Sequence, residues 1–364
     1  MDITFVVTDQ QKLHEGVVRP FINFAKALEG KYHFSFLLLN CSQLFSEHLQ
    51  KHGFKVIVCA NKKNMIEQTA SIKPEFVISD DDLQRLKLVQ EIKAATKVKT
   101  VSYVQILYGS HSIVDCFDQT SLTFRQKLVF RPMRYMPFKF FRNRYSQLLK
   151  TFDLVIANSK ITATFLHTLY NVEVSGIVYP SIDTDIYQPS GEKAKEVTVY
   201  LGSHLGDTKV DLAKRIVLSV VDNGYFVNLF GNAKMASEII SEGNKSLFYQ
   251  SNLTDIELAK MYSRSKLTVC PQKWEQFGLV PVESISCGTP ALAFNCMGFQ
   301  ETIDKTTGWL ANNTNEFLEI LHEALKKETF PVPQSKTITI EAFSIAASGK
   351  ALKELLEKYF NQKI

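Results

Sequence analysis

The sequence predicts an α/β protein with two doubly wound parallel sheets, each covered by helices. Three observations support this prediction. The chain has 364 residues, which is too long for one ordinary core and suggests two domains of roughly 150 to 200 residues. Short apolar runs alternate with amphipathic segments along the whole chain. One segment rich in Pro, Ser, Asp and Gly, residues 179–196, interrupts the alternation and indicates a linker.

Apolar, β-branched runs in the first half are the predicted strands of the first sheet. In chain order they are ITFVVT, HFSFLLL, FKVIVC, EFVISD, KTVSYVQ and FDLVIANS. Because these runs are continuously apolar, the strands should be buried on both faces, as in a parallel sheet with crossover helices. Asn158 and Ser159 follow the last run, where they can cap a helix that begins near Lys160.

The alternation restarts after the linker and predicts a second parallel sheet. Its strands are VTVYLGS, YFVNLFGN, SLFYQSN, KLTVCPQ and PALAFN. We predict a first domain at residues 1–187, a second at residues 188–342, and a C-terminal helix at residues 343–364 that packs back on the first domain. Because open α/β sheets bind ligands beyond the carboxyl ends of their strands, we expect the two domains to face each other across a binding cleft.

Composition excludes several classes of protein. Apolar residues make up 45% of the chain and charged residues 22%, which is typical of a soluble globular protein. Six cysteines without metal-binding spacing predict reduced core thiols in a cytosolic protein. No apolar run approaches the roughly 18 residues that a membrane span needs, and the N-terminus lacks the basic segment of a signal peptide. A net charge of +5 does not by itself predict a nucleic-acid partner.

The segment WEQFGLVPVES, residues 274–284, places Glu275 and Glu283 on either side of a predicted helix start. The unpaired amides and positive dipole of that helix start suit a phosphate, and Gly278 allows close approach of the backbone. Each carboxylate can accept hydrogen bonds from two neighbouring hydroxyls, as in a ribose diol or a hexose. The spacing therefore predicts a nucleotide-sugar site. The alternative is that these acids only favour the helix macrodipole.

The pattern E-x-F-G-L-x-x-x-E followed by C-G-T-P strongly resembles the E-x7-E signature of retaining family 4 glycosyltransferases, which have the GT-B fold. The segments FDLVIANS, PSIDTDIYQP, GFQETI with GWL, and HEGVVRPFINFAKAL also resemble that family. The resemblance implies that Glu275 contacts hydroxyls of the transferred sugar and that Glu283 binds the ribose diol of the donor. It implies that the backbone between them meets sugar and phosphate at Phe277, Gly278 and Leu279. Gly16 would lie near the donor diphosphate, unless it is an ordinary turn glycine.

Two departures from the family pattern concern polar groups. The family usually carries an Arg and a Lys that neutralise the leaving diphosphate; Lys209 can take the role of the Lys, whereas Ser203 and His204 stand where the Arg is expected. Relatives often have a histidine after the strand KTVSYVQ, where this chain has Gln105, and His111 is a candidate to replace it. The alternatives are a solvated surface lysine and a structural loop histidine. The resemblance still implies catalysis, because retaining transfer on this fold needs positioning and charge stabilisation rather than a covalent nucleophile.

The acids from Asp80 to Asp82 could be mistaken for the D-x-D metal site of the other large glycosyltransferase fold. A run of acids directly before a helical segment is explained more simply as an N-cap with first-turn acids. We therefore predict no metal ion and no organic cofactor, with the nucleotide diphosphate sugar as co-substrate.

Residues 124–150 are basic and aromatic and contain no acid. The candidate membrane or acceptor patch in this segment consists of Arg125, Lys127, Arg131, Arg134, Lys139, Arg142 and Arg144. Basic charge interleaved with exposed aromatic rings is typical of binding to an anionic lipid surface. The alternatives are a solvated basic face above core aromatics and binding of single-stranded nucleic acid, which lacks support from an RNP, KH or helix-turn-helix pattern.

The sequence thus predicts a metal-independent, retaining hexosyltransferase. It would move a hexose from a nucleotide diphosphate sugar, held by the second domain, to a hydroxyl of a lipid-linked or membrane-surface saccharide, held by the first. The enzyme is expected to be cytoplasmic and peripheral at the inner membrane face, with no nucleic-acid partner. The alternatives are another enzyme on the same fold, such as a sugar phosphorylase or epimerase, and a non-catalytic protein that binds a nucleotide-sugar or a nucleic acid.

Overall fold

The structure is a computed structural model that describes residues 1–11, 16–107, 138–202, 208–240, 245–328, 330–331 and 341–361. The described residues form two compact units. Unit 1 contains those within Met1–Ser110, Pro137–Ser181 and Ile345–Ile364, and unit 2 contains those within Ile182–Ser344. The passage from Ser181 to Ile182 lies inside the segment 179–196 that the composition marks as a linker.

Unit 1 is built on a parallel sheet in which seven described strands follow the order β3-β2-β1-β4-β5-β6-β7. The strands are β1 (Asp2–Thr8), β2 (His33–Leu39), β3 (Lys55–Cys59), β4 (Phe76–Asp80), β5 (Lys99–Val104), β6 (Leu154–Ala157) and β7 (Gly176–Ile177). The helices between them are α1 (Arg19–Ala27), α2 (Gln43–Lys51), α3 (Lys62–Ile72), α4 (Leu83–Thr96), α5 (Phe138–Leu149) and α6 (Lys160–Thr168).

The sheet of unit 1 is buried on both faces, as its continuously apolar strands predict. Phe5 and Val7 of β1 pack into one core, and Val6 packs into the other, because successive side chains of a strand point to opposite faces. Phe5 lies between Phe21 of α1 and Phe36 of β2, each with a ring centroid 5.0 Å away. These contacts cover the sheet with α1 on one side.

Unit 2 repeats the architecture with six described strands in the order β10-β9-β8-β11-β12-β13. The strands are β8 (Glu196–Tyr200), β9 (Phe226–Phe230), β10 (Leu247–Gln250), β11 (Leu267–Cys270), β12 (Ala291–Phe294) and β13 (Gly308–Ala311). The helices are α7 (Val210–Asp222), α8 (Ala233–Ile239), α9 (Asp255–Arg264), α10 (Leu279–Ser286), α11 (Phe299–Thr302) and α12 (Thr314–Lys327).

The last helix, α13 (Ile345–Asn361), belongs to unit 1. Leu352 and Leu356 contribute to the same core as Phe5. A Cβ atom built on Gly349 would lie 2.2 Å from the Cβ atom of Ala27, so the glycine allows α13 to pack closely on the end of α1. The hydroxyl of Ser348 donates to the carbonyl of Tyr179 at 2.6 Å.

The predicted α/β fold class with two doubly wound parallel sheets is confirmed. Strands β7 and β13 were not predicted, because two or four residues beginning with glycine carry too little apolar pattern. The predicted cap of α6 is confirmed, since the Ser159 side chain accepts from the Thr162 amide at 3.1 Å.

Within the described ranges, no helix is both long enough and apolar enough to cross a membrane. The five described cysteines are thiols: Cys59, Cys270 and Cys287 are buried, and Cys41 and Cys296 are partly exposed.

Candidate functional site

The strand order of unit 2 reverses between β8 and β11. Strands β9 and β10 lie on one side of the β8–β11 pair, and strands β12 and β13 lie on the other side. Such a switch point opens a crevice beyond the carboxyl ends of the two strands, where open α/β sheets bind ligands. The chain that leaves β8 reaches Lys209 before α7, and the chain that leaves β11 reaches Glu275 before α10. Lys209 and Glu275 thus both lie in the segments that follow the two strands at the switch point.

Helix α10 begins where the sequence predicts. Its N-cap is Gly278, which has a φ of 95°. No side chain at this N-cap accepts a hydrogen bond from the first amides of the helix. A residue with a Cβ atom would be strained there, both by the left-handed backbone and by the Phe299 ring 3.0 Å away. The helix ends at Gly288 in a Schellman motif, in which the Gly288 amide donates to Ile285 and the Thr289 amide donates to Ser284.

The loop from Glu275 to Phe277 is held by the segment that precedes α11. The Gly298 amide donates to the Glu275 carbonyl at 2.9 Å. A Cβ atom on Gly298 would lie 2.4 Å from the Phe277 Cα atom, so only glycine permits this approach. Phe277 is 2% exposed and packs edge-on against Phe343, with ring centroids 5.0 Å apart. The backbone that carries Glu275 is therefore fixed from two sides.

Glu275 and Glu283 both act electrostatically on one buried thiol. Burial raises the pKa of Cys270 well above its usual value, and the charges of Glu275 and Glu283 raise it further. Cys270 is the last residue of β11, and both glutamates follow it along the chain, Glu275 in the loop after the strand and Glu283 in α10. Their environments differ: Glu275 is partly exposed, whereas Glu283 is 3% exposed and accepts a hydrogen bond from the Tyr262 hydroxyl at 3.1 Å.

The start of α7 is tied to the ends of β8 and β11 by Gln272. Its side-chain amide donates to the Tyr200 carbonyl at 2.7 Å and to the Thr208 hydroxyl at 3.0 Å. Lys209, the N-cap residue of α7, follows directly and is exposed. The Gln272 Oε1 atom is buried and has no hydrogen-bond partner in the described part of the chain. Gln272 thus holds the backbone before Lys209 at the switch point.

Gly16 and Gln105, which the sequence predicts as site residues, lie in unit 1. Gly16 is exposed in the turn before α1, and a Cβ atom on it would have no neighbour within 4 Å. Gln105 follows β5 and donates its side-chain amide to the Val17 carbonyl at 2.9 Å. Gln105 thereby connects the end of β5 to the segment that leads into α1.

The prediction that the acids before α4 are a cap with first-turn acids is correct only for Asp82, whose carboxylate accepts from the amides of Gln84 and Arg85. Asp80 ends β4 and pairs with Arg85 at 2.5 Å. Burial raises the pKa of Asp80 to about 6, against the opposing charge of Arg85.

Asp81 has a different role from its two neighbours. Its carboxylate accepts hydrogen bonds from the amides of Gln105 (2.7 Å), Ile106 (2.9 Å) and Leu107 (2.9 Å) and from the Tyr145 hydroxyl (2.7 Å). Burial raises the pKa of Asp81, and these hydrogen bonds counteract that rise. No local sequence pattern predicts this role, because every partner is distant along the chain.

Most of the remaining predicted residues lie outside the described part of the chain. Ser203, His204 and His111 lie outside the described residues. So do four members of the basic patch, Arg125, Lys127, Arg131 and Arg134, and the Lys139 side chain is likewise not described. Arg142 and Arg144 lie on α5, where Arg144 is exposed and Arg142 partly so.

Among the described side chains, no group of three or more His, Cys, Asp or Glu residues could hold a metal ion.

Sequence reasoning missed three residues of the site: Tyr262, Gln272 and Gly298. Each acts through a contact with a residue that is remote in the sequence, such as Glu283, Thr208 or Phe277. The segment GFQETI was noted for its resemblance, but nothing in its composition shows that its glycine lies against the loop of Glu275.

Two doubly wound parallel units define the GT-B class of glycosyltransferase fold. Solved structures of that class agree with it over nearly the whole chain. HepE from Anabaena, solved in complex with UDP-glucose, has a TM-score of 0.71 and 15% identity, covering 98% of this chain and 100% of that one. Sucrose-phosphate synthase from Thermosynechococcus elongatus has a TM-score of 0.72 and 14% identity, covering 99% of both chains.

Residues 211–339 match the family described as glycosyl transferases group 1. Among curated relatives, D-inositol 3-phosphate glycosyltransferase from Nocardiopsis dassonvillei is 24% identical over 250 residues, which is 58% of this chain and 57% of that protein. The chain spans about half the length of the curated relatives that it matches. Residues 211–339 are thus similar to glycosyl transferases group 1, and the chain is similar to glycosyltransferases such as D-inositol 3-phosphate glycosyltransferase.

Proposed function

We propose that the protein is a retaining glycosyltransferase that moves a hexose from a nucleotide diphosphate sugar to a hydroxyl acceptor, without a metal ion. One observation supports the proposal: Glu275 precedes α10 and Glu283 lies inside it, and the start of this helix at Gly278, without a side-chain cap, follows β11 at the switch point of unit 2. A donor has its sugar, diphosphate and ribose in that order. The first carboxylate can accept hydrogen bonds from the sugar hydroxyls, the helix start can bind the diphosphate, and the second carboxylate can accept from the ribose hydroxyls.

In this proposal the described residues of unit 2 position the donor and stabilise the charge that develops on it. The amides at the start of α10 and the ammonium group of Lys209 face the diphosphate, whose negative charge grows as the sugar departs. Glu275 accepts hydrogen bonds from hydroxyls of the sugar, and Glu283 accepts them from the ribose. The departing phosphate takes the proton of the acceptor on the same face, so no side chain has to form a covalent intermediate.

The donor is tested by thermal denaturation with a panel of UDP-, GDP-, ADP- and CDP-sugars. UDP-glucose is the first member, because HepE, which shares the fold, was solved with that ligand. A ligand at a hundred times its Kd stabilises the folded state by about 2.7 kcal/mol. For a domain of this size that is a rise in Tm of roughly 5 to 10 °C. Free hexose and hexose 1-phosphate are the controls, and a panel in which no nucleotide-sugar raises Tm contradicts the proposal.

We also propose that the acceptor is a saccharide at an anionic membrane surface, which the cytoplasmic enzyme visits as a peripheral protein. The support is the run of cations in residues 124–150, of which Arg142 and Arg144 lie on the described helix α5. Each cation near an anionic leaflet contributes about 1 kcal/mol of binding free energy. The neighbouring aromatic residues add apolar contact with the lipid interface.

The membrane proposal predicts that Arg142→Glu with Arg144→Glu weakens binding to vesicles of phosphatidylglycerol and phosphatidylcholine at least tenfold in a sedimentation assay. Two lost attractions of about 1 kcal/mol each account for this size. The control is Lys62→Glu with Lys63→Glu, which makes the same charge change at two exposed residues of α3. Equal loss in both double variants would show a general charge effect instead of a patch.

A non-catalytic binding protein is the rival function. The match to a family of transferases favours catalysis over binding alone. Binding of a nucleotide-sugar without hydrolysis or transfer, for every donor in the panel, would support the rival.

A further inference from the structure

The buried hydrogen bond between Tyr262 and Glu283 joins α9 to α10. The Tyr262 hydroxyl donates to the Glu283 Oε2 atom at 3.1 Å. Tyr262 is fully buried and Glu283 is 3% exposed. A carboxylate removed from water in this way needs donors, because burial of an unpaired charge is costly. Tyr262 is one group that meets this need, and it does so from a different helix.

The ring of Tyr262 has little freedom to move. It packs against the rings of Phe230 and Tyr187, with centroids 6.1 Å and 6.4 Å away. Its backbone carbonyl accepts hydrogen bonds from the Thr289 hydroxyl at 2.6 Å and from the Ser265 amide at 3.1 Å. The hydroxyl is therefore presented from a fixed position, and the carboxylate oxygen that receives it is fixed as well.

The direction of the hydrogen bond is also fixed. Burial raises the pKa of Tyr262 well above its usual value, and the neighbouring charge of Glu283 adds to the rise. Tyr262 thus keeps its proton at every working pH and acts toward Glu283 as a donor. The Glu283 Oε2 atom accepts this hydrogen bond, and accepting hydrogen bonds is what recognition of hydroxyls requires.

We propose that Tyr262 is a positioning residue that holds the Glu283 carboxylate in the orientation that receives the ribose hydroxyls, and that it thereby determines preference for ribonucleotide over 2′-deoxyribonucleotide donors. This inference rests on the proposed function, because it assigns Glu283 to the ribose. It goes further in naming Tyr262 as the origin of sugar discrimination in the nucleotide.

The size of the effect follows from the chemistry of the contact. A hydrogen bond to a charged group contributes about 1.5 to 3 kcal/mol, so a donor that lacks the 2′-hydroxyl should bind roughly 10- to 150-fold more weakly to the wild type. Without the Tyr262 hydroxyl, Glu283 loses one of the groups that orient it, and that preference declines. The affinity for the deoxy ligand, which does not use the contact, should stay the same.

The test measures Kd by calorimetry for UDP, GDP, ADP and CDP and for the 2′-deoxy form of each, on the full chain. The variant is Tyr262→Phe, which removes only the hydroxyl. The matched control is Tyr187→Phe: Tyr187 is equally buried and neighbours Tyr262, but its hydroxyl donates to Asp255 at 3.0 Å. We expect Tyr262→Phe to lower the ratio of deoxy to ribo Kd at least fivefold, and Tyr187→Phe to leave the ratio unchanged.

The outcomes of this test distinguish failure of the role of Tyr262 from failure of the proposed function. An unchanged ratio in Tyr262→Phe, or an equal fall in Tyr187→Phe, overturns the role of Tyr262 while the proposed function stands. Absence of binding of all nucleotides to the wild type overturns both. If Tyr262→Phe does not fold, Glu283→Gln keeps the hydroxyl of Tyr262 and removes the charge that it orients, and an unchanged ratio in that variant also overturns the inference.

Discussion

Glu275→Gln is expected to lower kcat/KM for glycosyl transfer about 10²- to 10³-fold, which corresponds to about 2.7 to 4 kcal/mol of transition-state stabilisation. The amide keeps the size of the side chain but removes the charge that strengthens hydrogen bonds from the sugar hydroxyls. The fold should tolerate the change, because the backbone carbonyl of Glu275, which Gly298 binds, is not altered. Initial rates with the donor identified by the panel provide the measurement.

The specificity of that effect is checked in two ways. Glu319→Gln makes the same change at an exposed residue of α12 and should leave the rate unchanged. The affinity of Glu275→Gln for the nucleoside diphosphate without its sugar should equal that of the wild type, since the carboxylate is assigned to the sugar. A Glu275→Gln enzyme with more than a tenth of wild-type activity would exclude the assigned role.

Asp81→Asn should destabilise unit 1 by about 2 to 6 kcal/mol, because at least two buried donors would lose their acceptor, at about 1 to 3 kcal/mol each. Both carboxylate oxygens of Asp81 face donors from the backbone after β5 and from Tyr145. The amide group of Asn would place a donor against those donors. Leu107 also has a φ of 54°, a left-handed backbone that its hydrogen bond to Asp81 helps to hold. Urea unfolding followed by hydrogen exchange of unit 1 peptides measures the loss.

Asp82→Asn is the matched control for this prediction. It makes the same chemical change at the adjacent residue, where Asn is as good an N-cap as Asp, so the stability should change by less than about 0.5 kcal/mol. Tyr145→Phe should cost roughly 1 to 2 kcal/mol, since it removes one donor of the set. Equal stability of Asp81→Asn and Asp82→Asn would mean that the carboxylate of Asp81 does not hold the turn after β5.

Much of the fold could be predicted because its signals are local. The apolar runs that predict β1 to β6 and β8 to β12 coincide with these strands to within one to three residues at each end. The start of α10 and its end at Gly288 were also predicted, since glycine at a left-handed position is a property of the residue itself. Strands β7 and β13 were not predicted, because their sequences carry little apolar pattern. They are strands because they pair with β6 and β12.

The site was predictable only in part. Glu275, Gly278 and Glu283 were found because their spacing along one loop and helix carries the pattern. Asp81 was misassigned to the cap of α4, although it is one residue from the true cap. Its burial and its four donors arise from the pairing of β4 with β5 and from the packing of α5, none of which is encoded near residue 81.

The sequence by itself determined the alternation of strands and helices, the start of α6 and the limits of α10, because backbone propensity, capping and apolar periodicity act over a few neighbouring residues. Only the tertiary structure decided what each polar group does there. In the folded chain, Asp81 accepts hydrogen bonds from the backbone after β5, the Gly298 amide donates to the Glu275 carbonyl, and Tyr262 donates to Glu283. The physical reason is that a buried charge must find its donors wherever the packed chain brings them, at sequence distances that no local pattern records.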